Sequence, residues 1–217
     1  MKISTFALSI KKNNFTNQGE KDKQRIVKGY FLSISNSENR DFRLRIEFTL
    51  TQISSPPEHS NFDEKVILAC DLGGQVTYLP LNQSPTNKNK YSSYFTIPAT
   101  ETVSIELLPE LTNNLLSYNG DLEASGFVSL LLPANLNFLT YRVESQTQTP
   151  IEFGLHPEIR SAIVQADVAV KSPAHLDFNE VVARLETADK KPCIYLEPEP
   201  GYPLFFQPDI IANISLP

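Results

Sequence analysis

The run Phe42-Arg43-Leu44-Arg45-Ile46-Glu47-Phe48-Thr49-Leu50 alternates large apolar and polar side chains without a break. Successive strand side chains point to opposite faces, so the run gathers five apolar groups on one side and sets Arg43, Arg45, Glu47 and Thr49 on the other. It is therefore expected as a half-buried strand, and such a strand needs a sheet beside it and a second layer to cover its apolar face.

The rest of the chain supplies partners of the same kind. The apolar start around Ile3 to Ile10 is short, broken by Ser and Thr, and followed by Lys11 and Lys12 with no cleavage-site pattern, so it reads as a strand and not as a signal peptide. Ile26 to Ile34 is rich in β-formers, and the cluster from Ser35 to Asp41 reads as a turn joining it to Phe42–Leu50 in a hairpin. A second hairpin is expected where Gly73-Gly74 separates Val66–Leu72 from Gln75–Leu79, because a two-residue primed turn needs positive φ angles. Further strands are predicted at Tyr91–Ile97, Thr102–Leu108 and, after a tight turn at Asn119-Gly120, Leu122–Leu132. Weaker strand signals lie at Tyr141–Glu144, Ile151–Leu155, Cys193–Leu196 and Asp209–Ile214, among many prolines. Glu158–Val170 admits a helix entered after Pro157 but alternates as a strand does and is expected as one, whereas Phe178–Glu186 reads as a short helix, with Asp177 or Asn179 as cap and Val181, Val182 and Leu185 on one face.

Closely spaced strands and hairpin signals predict an all-β fold: an antiparallel β-sandwich, immunoglobulin-like or jelly-roll-like, with at most one short helix in the C-terminal third. The sixteen prolines against eight glycines agree, since proline collects at turns and sheet edges. A chain of 217 residues with 41% hydrophobic content is expected as one domain over 1–217, with an irregular, Pro-rich part from about residue 134. The succession of strand, Asn/Ser turn, alternating strand, Ile97-Pro98 and Val103–Leu108 is similar to immunoglobulin-like sandwiches in general. The marker disulfide and tryptophan of antibody domains are not in evidence, and the similarity carries no function.

Chemistry is sparse. His175-Leu176-Asp177 has the form of half an iron-binding triad, but no later histidine completes it, and His59 and His156 stand upstream. Cys70 falls on an apolar strand face and Cys193 has no neighbour that would clearly activate its thiol; both are expected as free thiols. The carboxylates of Asp63-Glu64 and Glu197-Pro198-Glu199 read as solvated loop charges, and no glycine-rich phosphate loop is present. The expectation is no catalytic site, no metal and no cofactor. Without tryptophan, a sugar platform would have to use Tyr30, Tyr78, Tyr91 and Tyr94.

Two groups of residues stand out as candidate binding features. Arg25, Lys28, Arg43 and Arg45 are the candidate anion patch. Tyr202, Leu204, Phe205, Phe206, Ile210 and Ile211 belong to a strongly apolar final stretch, which is expected either to dock on its own sheet or to meet a second chain. The net charge of −6 disfavours nucleic acid, and no apolar run approaches the roughly 20 residues of a membrane span, which makes the cytoplasm the expected compartment. The resulting expectation is a non-enzymatic structural or protein-interaction β-sandwich module that self-associates. The alternatives are a small-molecule or carbohydrate-binding sandwich and, less favoured, a hydrolase or oxygenase with dispersed residues.

Overall fold

The structure, a computed structural model, describes residues 1–12, 24–54, 62–111, 122–137, 142–165, 178, 180–188 and 190–203. Its strands are β1 (Lys2–Lys12), β2 (Gln24–Asn36), β3 (Phe42–Ser54), β4 (Val66–Leu72), β5 (Gln75–Leu79), β6 (Asn82–Gln83), β7 (Lys90–Ile97), β8 (Thr102–Pro109) and β9 (Leu122–Leu131). They continue with β10 (Asn135–Asn137), β11 (Arg142–Glu144), β12 (Ile151–Gln165), β13 (Glu180–Arg184), β14 (Cys193–Leu196) and β15 (Tyr202–Pro203). Twelve of them form one sheet with the order β5-β4-β8-β2-β1-β9-β3-β7-β6, to which β12 is added on β2 and carries β13 and β14; β10, β11 and β15 form a separate small sheet. The pairings between these strands are antiparallel, so the fold is all-β and sandwich-like, with one curled sheet supplying both layers.

Strand β2 is where the layers divide. One edge pairs with β12 from Gln24 to Asn36. The other edge is shared: Arg25 to Lys28 pair with β1, and Tyr30 to Ser35 pair with β8. The change of partner falls at Gly29, where an added Cβ would stand 2.5 Å from Leu108 Cδ2, so a side chain there would have to displace Leu108. Beyond it β1 leaves β2, and Phe6 and Leu8 share a buried cluster with Tyr30, Leu32 and Ile34 and with all five apolar residues of the Phe42–Leu50 run. Rings meet edge-on at the centre, Phe6 to Phe48 at 5.6 Å and Tyr30 to Phe48 at 6.4 Å, while the Tyr30 hydroxyl and Ser4 Oγ share a 2.7 Å hydrogen bond. Val27, where β1 and β2 still pair, and Phe31, already beside β8, face a second, smaller core with Ile10, Leu108, Leu122, Ala162, Val164 and Phe178. The Cα atoms of β5 come within 8 Å of β7, so the flanks of the curled sheet approach each other.

The Gly73-Gly74 hairpin is present, with φ angles of 58° and 91° and β4 paired to β5 in the register the turn requires. The hairpin expected from Ile26–Ile34 and Phe42–Leu50 is not formed: β2 pairs with β1, β8 and β12, and β3 pairs with β7 and β9. Residues 37–41 instead carry the chain from one layer to the other, beside a second crossing at Pro98–Glu101. Asn36 holds the two together: its side-chain amide donates to Arg40 O at 2.9 Å and Pro98 O at 2.8 Å, and its Oδ1 accepts from the Glu38 amide at 3.0 Å.

The expected helix at Phe178–Glu186 is also overturned. Glu180–Arg184 is a strand, because Glu158 to Ser161 of β12 offer it a ladder edge and its β-branched Val181 and Val182 suit an extended chain. The strands read separately on either side of Pro157 are one, Ile151–Gln165. Proline is tolerated there because the Pro157 carbonyl accepts from Leu185, on the edge away from β2, so the missing amide removes nothing from the β2 ladder. The region beyond residue 134, expected to be irregular, thus supplies the longest strand of the described chain. The turn at Asn119-Gly120, the strand at Asp209–Ile214 and residues Leu204, Phe205, Phe206, Ile210 and Ile211 lie outside the described residues. Among those described, no helix is long and apolar enough to cross a membrane.

Candidate binding groove

The polar side of the Phe42–Leu50 run faces outward and forms the floor of an open groove of about 390 Å³. Arg43 and Arg45 of β3 and Tyr94 of β7 line the floor; Pro133, Ala134, Leu136, Val143, Glu199 and Tyr202 form the walls. Tyr94 is the cross-strand neighbour of Arg45 and the diagonal neighbour of Arg43. The Arg43 guanidinium lies over the Tyr94 ring, 4.6 Å from its centroid, while Arg45 donates from a terminal nitrogen to the Tyr94 hydroxyl at 3.4 Å.

The two arginines differ in how their charge is met. Arg45 lies 3.3 Å from both Glu47 and Glu199, and Glu47 also binds Lys90 at 2.6 Å. Burial opposes the Arg45 charge, but Tyr94, Glu47 and Glu199 outweigh it and its pKa is raised. Arg43 is exposed, and among the described residues its guanidinium has neither an ion pair nor a hydrogen bond; its stack on Tyr94 is its contact.

The walls are fastened to this floor by two devices. The Gln146 side chain binds the Arg43 backbone like an extra strand residue, accepting from its amide at 2.9 Å and donating to its carbonyl at 2.6 Å. The Glu199 amide donates to Leu132 O at 2.9 Å, which brings the segment before β15 alongside the end of β9. Gly201 is required for the last step: a Cβ there would stand 2.5 Å from Val143 O, so only glycine lets β15 close on β11 and place Tyr202 at the rim.

The remaining candidates fall elsewhere. Arg25 and Lys28 are on β2, separated from β3 in the strand order by β1 and β9, and three positions apart they point to opposite faces, so the four basic residues do not form one patch. Arg25 is buried. Tyr30 and Tyr91 are core residues, and Tyr78, exposed on β5, does not line the groove that holds Tyr94. Cys70 and Cys193 are free thiols. Burial raises the Cys70 pKa, with Asp71 and Glu106 adding to it, and a hydrogen bond to Glu152 raises that of Cys193, so neither is activated. His59, His175 and Asp177 lie outside the described residues, while the His156 Nδ1 is 2.8 Å from the Leu155 carbonyl. Among the described residues, no three His, Cys, Asp or Glu side chains are grouped to hold a metal ion. A second open groove, about 470 Å³, runs along Glu158, Arg184, Glu186 and Lys190, whose charges are already paired with one another.

Arg43, Arg45 and Tyr202 were legible as candidates, and Tyr94 as an exposed aromatic. Gln146 and Leu136 carried no signal, Val143 was legible only as part of a weak strand, and Glu199 was read as a solvated loop charge, because its pairing with Arg45 joins residues 154 positions apart. Fold and groove together define an all-β antiparallel protein with an arginine- and tyrosine-lined surface groove. No known family matches the chain, and neither does any curated protein or solved structure.

Proposed function

We propose that this chain is a non-enzymatic protein-interaction module that self-associates. The observation that carries the reading is the groove edged by Tyr202, which is 58% exposed and immediately precedes the apolar stretch containing Leu204, Phe205, Phe206, Ile210 and Ile211. Tyrosine and arginine are the residue types enriched at the energetic centres of protein interfaces, because they join a large stacking surface to directional hydrogen bonds. An apolar stretch that follows a groove residue in the sequence is suited to contact a second copy. The two free thiols fit a reducing compartment, which supports the cytoplasm as the location.

Light scattering over a range of concentrations tests the reading. The full chain is expected to exceed its monomer mass of 24.4 kDa and to grow heavier with concentration, whereas a full-length variant with Phe205→Ser and Phe206→Ser stays at the monomer mass. A full chain that remains at 24.4 kDa throughout defeats self-association. A small-molecule or carbohydrate ligand is the second reading, favoured by a groove volume of about 390 Å³, within the range of small-ligand sites.

A further inference from the structure

We infer that Arg43 and Tyr94 form a carboxylate-binding anchor, and that the groove receives a partner polypeptide segment presenting one acidic side chain between apolar ones. The inference rests on the interaction reading and specifies what the partner offers.

Charge is the first argument. The lining of the groove holds two cations, Arg43 and Arg45, against one carboxylate, Glu199. That carboxylate is engaged by Arg45, which leaves Arg43 as the unmatched positive charge of the lining, on a chain whose net charge is −6. A single carboxylate matches that charge. A phosphate dianion would bring a second negative charge towards Glu199, which Arg45 holds at 3.3 Å.

Geometry is the second. A guanidinium is a planar fork whose paired N–H groups meet both oxygens of a carboxylate. Its position over the Tyr94 ring restricts the Arg43 side chain before any ligand arrives, while among the described residues no hydrogen bond or ion pair occupies its donors. Gln146 holds the Arg43 backbone on both its amide and its carbonyl, so the anchor stands on a fixed strand. Less of the fork's freedom is then lost on binding.

The surroundings supply the third. Leu136, 43% exposed, together with Val143 and the Tyr202 ring, borders the groove with apolar surface that a free acetate ion would leave uncovered. Apolar residues flanking the acidic side chain would cover it.

Amide and arginine side-chain NMR of the isotope-labelled full chain, titrated with three probes, tests the inference. The probes are the capped tripeptide acetyl-Leu-Asp-Leu-amide, its Asn counterpart and phenyl phosphate. The Asp peptide is expected to shift signals of Arg43, Tyr94, Gln146 and Tyr202 and to bind about tenfold or more tightly than the Asn peptide, as expected for a charge-assisted pair. Arg43→Ala is expected to abolish that preference. Arg43→Lys, which keeps the charge and loses the fork, should retain only a small part of it. Arg43 is exposed, so both variants should keep a dispersed native amide spectrum; Tyr94→Leu, which removes the stack, is a second probe and should weaken the Asp peptide several-fold. Equal binding of the Asp and Asn peptides at these residues overturns the carboxylate anchor and leaves a protein-binding groove standing. Tighter binding of phenyl phosphate than of the Asp peptide, or an unchanged preference in Arg43→Ala, also overturns it. Absence of any shift at the groove overturns it as well, while the mass measurement still decides self-association independently.

Discussion

At the scale of single residues, one buried and one half-buried polar group stand apart from their surroundings. Ser93 is 1% exposed on the inward face of β7, and its Oγ has no hydrogen-bond partner. A hydroxyl dehydrated without compensation costs about 1–3 kcal/mol, so Ser93→Ala is expected to stabilise the fold by about 1 kcal/mol. An equilibrium urea titration that shows Ser93→Ala to be less stable refutes this. Glu106 lies on the outer face of β8, and burial first, then Asp71, raises its pKa, with Arg160 opposing. A carboxyl whose pKa is raised by folding binds more protons in the native state than in the unfolded one, so its contribution to stability falls as pH rises from the ordinary carboxylate range to the raised value. Glu106→Gln is therefore expected to raise the Tm at pH 7 and to lose that advantage below the ordinary carboxylate range. Thermal melts at the two pH values check the sign, and an equal gain at both would mean that proton linkage is not its source.

At the scale of elements, the crossing of β2 into β3 was the feature most readily misread. The Ser35–Asp41 cluster has the composition of a turn, and that composition is the same whether the next strand pairs with the last or passes to the other layer. The choice is made by Asn36, buried to 3% exposure, whose donors reach Arg40 O and, 62 positions away, Pro98 O. Asn36→Ala is expected to cost about 2–4 kcal/mol, because it leaves several backbone groups unsatisfied at once. Asn36→Asp should cost more, since it sets a carboxylate against two carbonyl oxygens. A chemical denaturation series in which Ala and Asp are equally mild would show that Asn36 does not hold the two crossings together. By contrast, the Gly73-Gly74 hairpin was readable because the turn and both strands lie within 14 consecutive residues, Val66 to Leu79.

At the scale of the whole molecule, pairing is dominated by distant partners. β1 pairs with β9, and β2 pairs with β12 along its entire length. Chains held by contacts of this kind must close large loops before any pairing rewards them, so refolding is expected on the timescale of milliseconds to seconds. With no tryptophan in the chain, stopped-flow tyrosine fluorescence or far-UV circular dichroism is the appropriate measurement. Completion within microseconds would contradict the topology.

Local alternation and turn chemistry determined the all-β class, the inward and outward faces of Phe42–Leu50 and the β4–β5 hairpin, since those depend on residues within one strand or turn. Arg43 and Arg45 could be seen to share a polar face for the same reason. The tertiary structure alone decided which strand lies beside which, that Glu180–Arg184 is extended, and that Arg43 meets Tyr94 while Arg25 and Lys28 lie elsewhere. Strand order and the groove walls are set by hydrogen bonds and buried contacts between residues far apart in sequence, and side-chain periodicity carries no record of the partner that an edge will find.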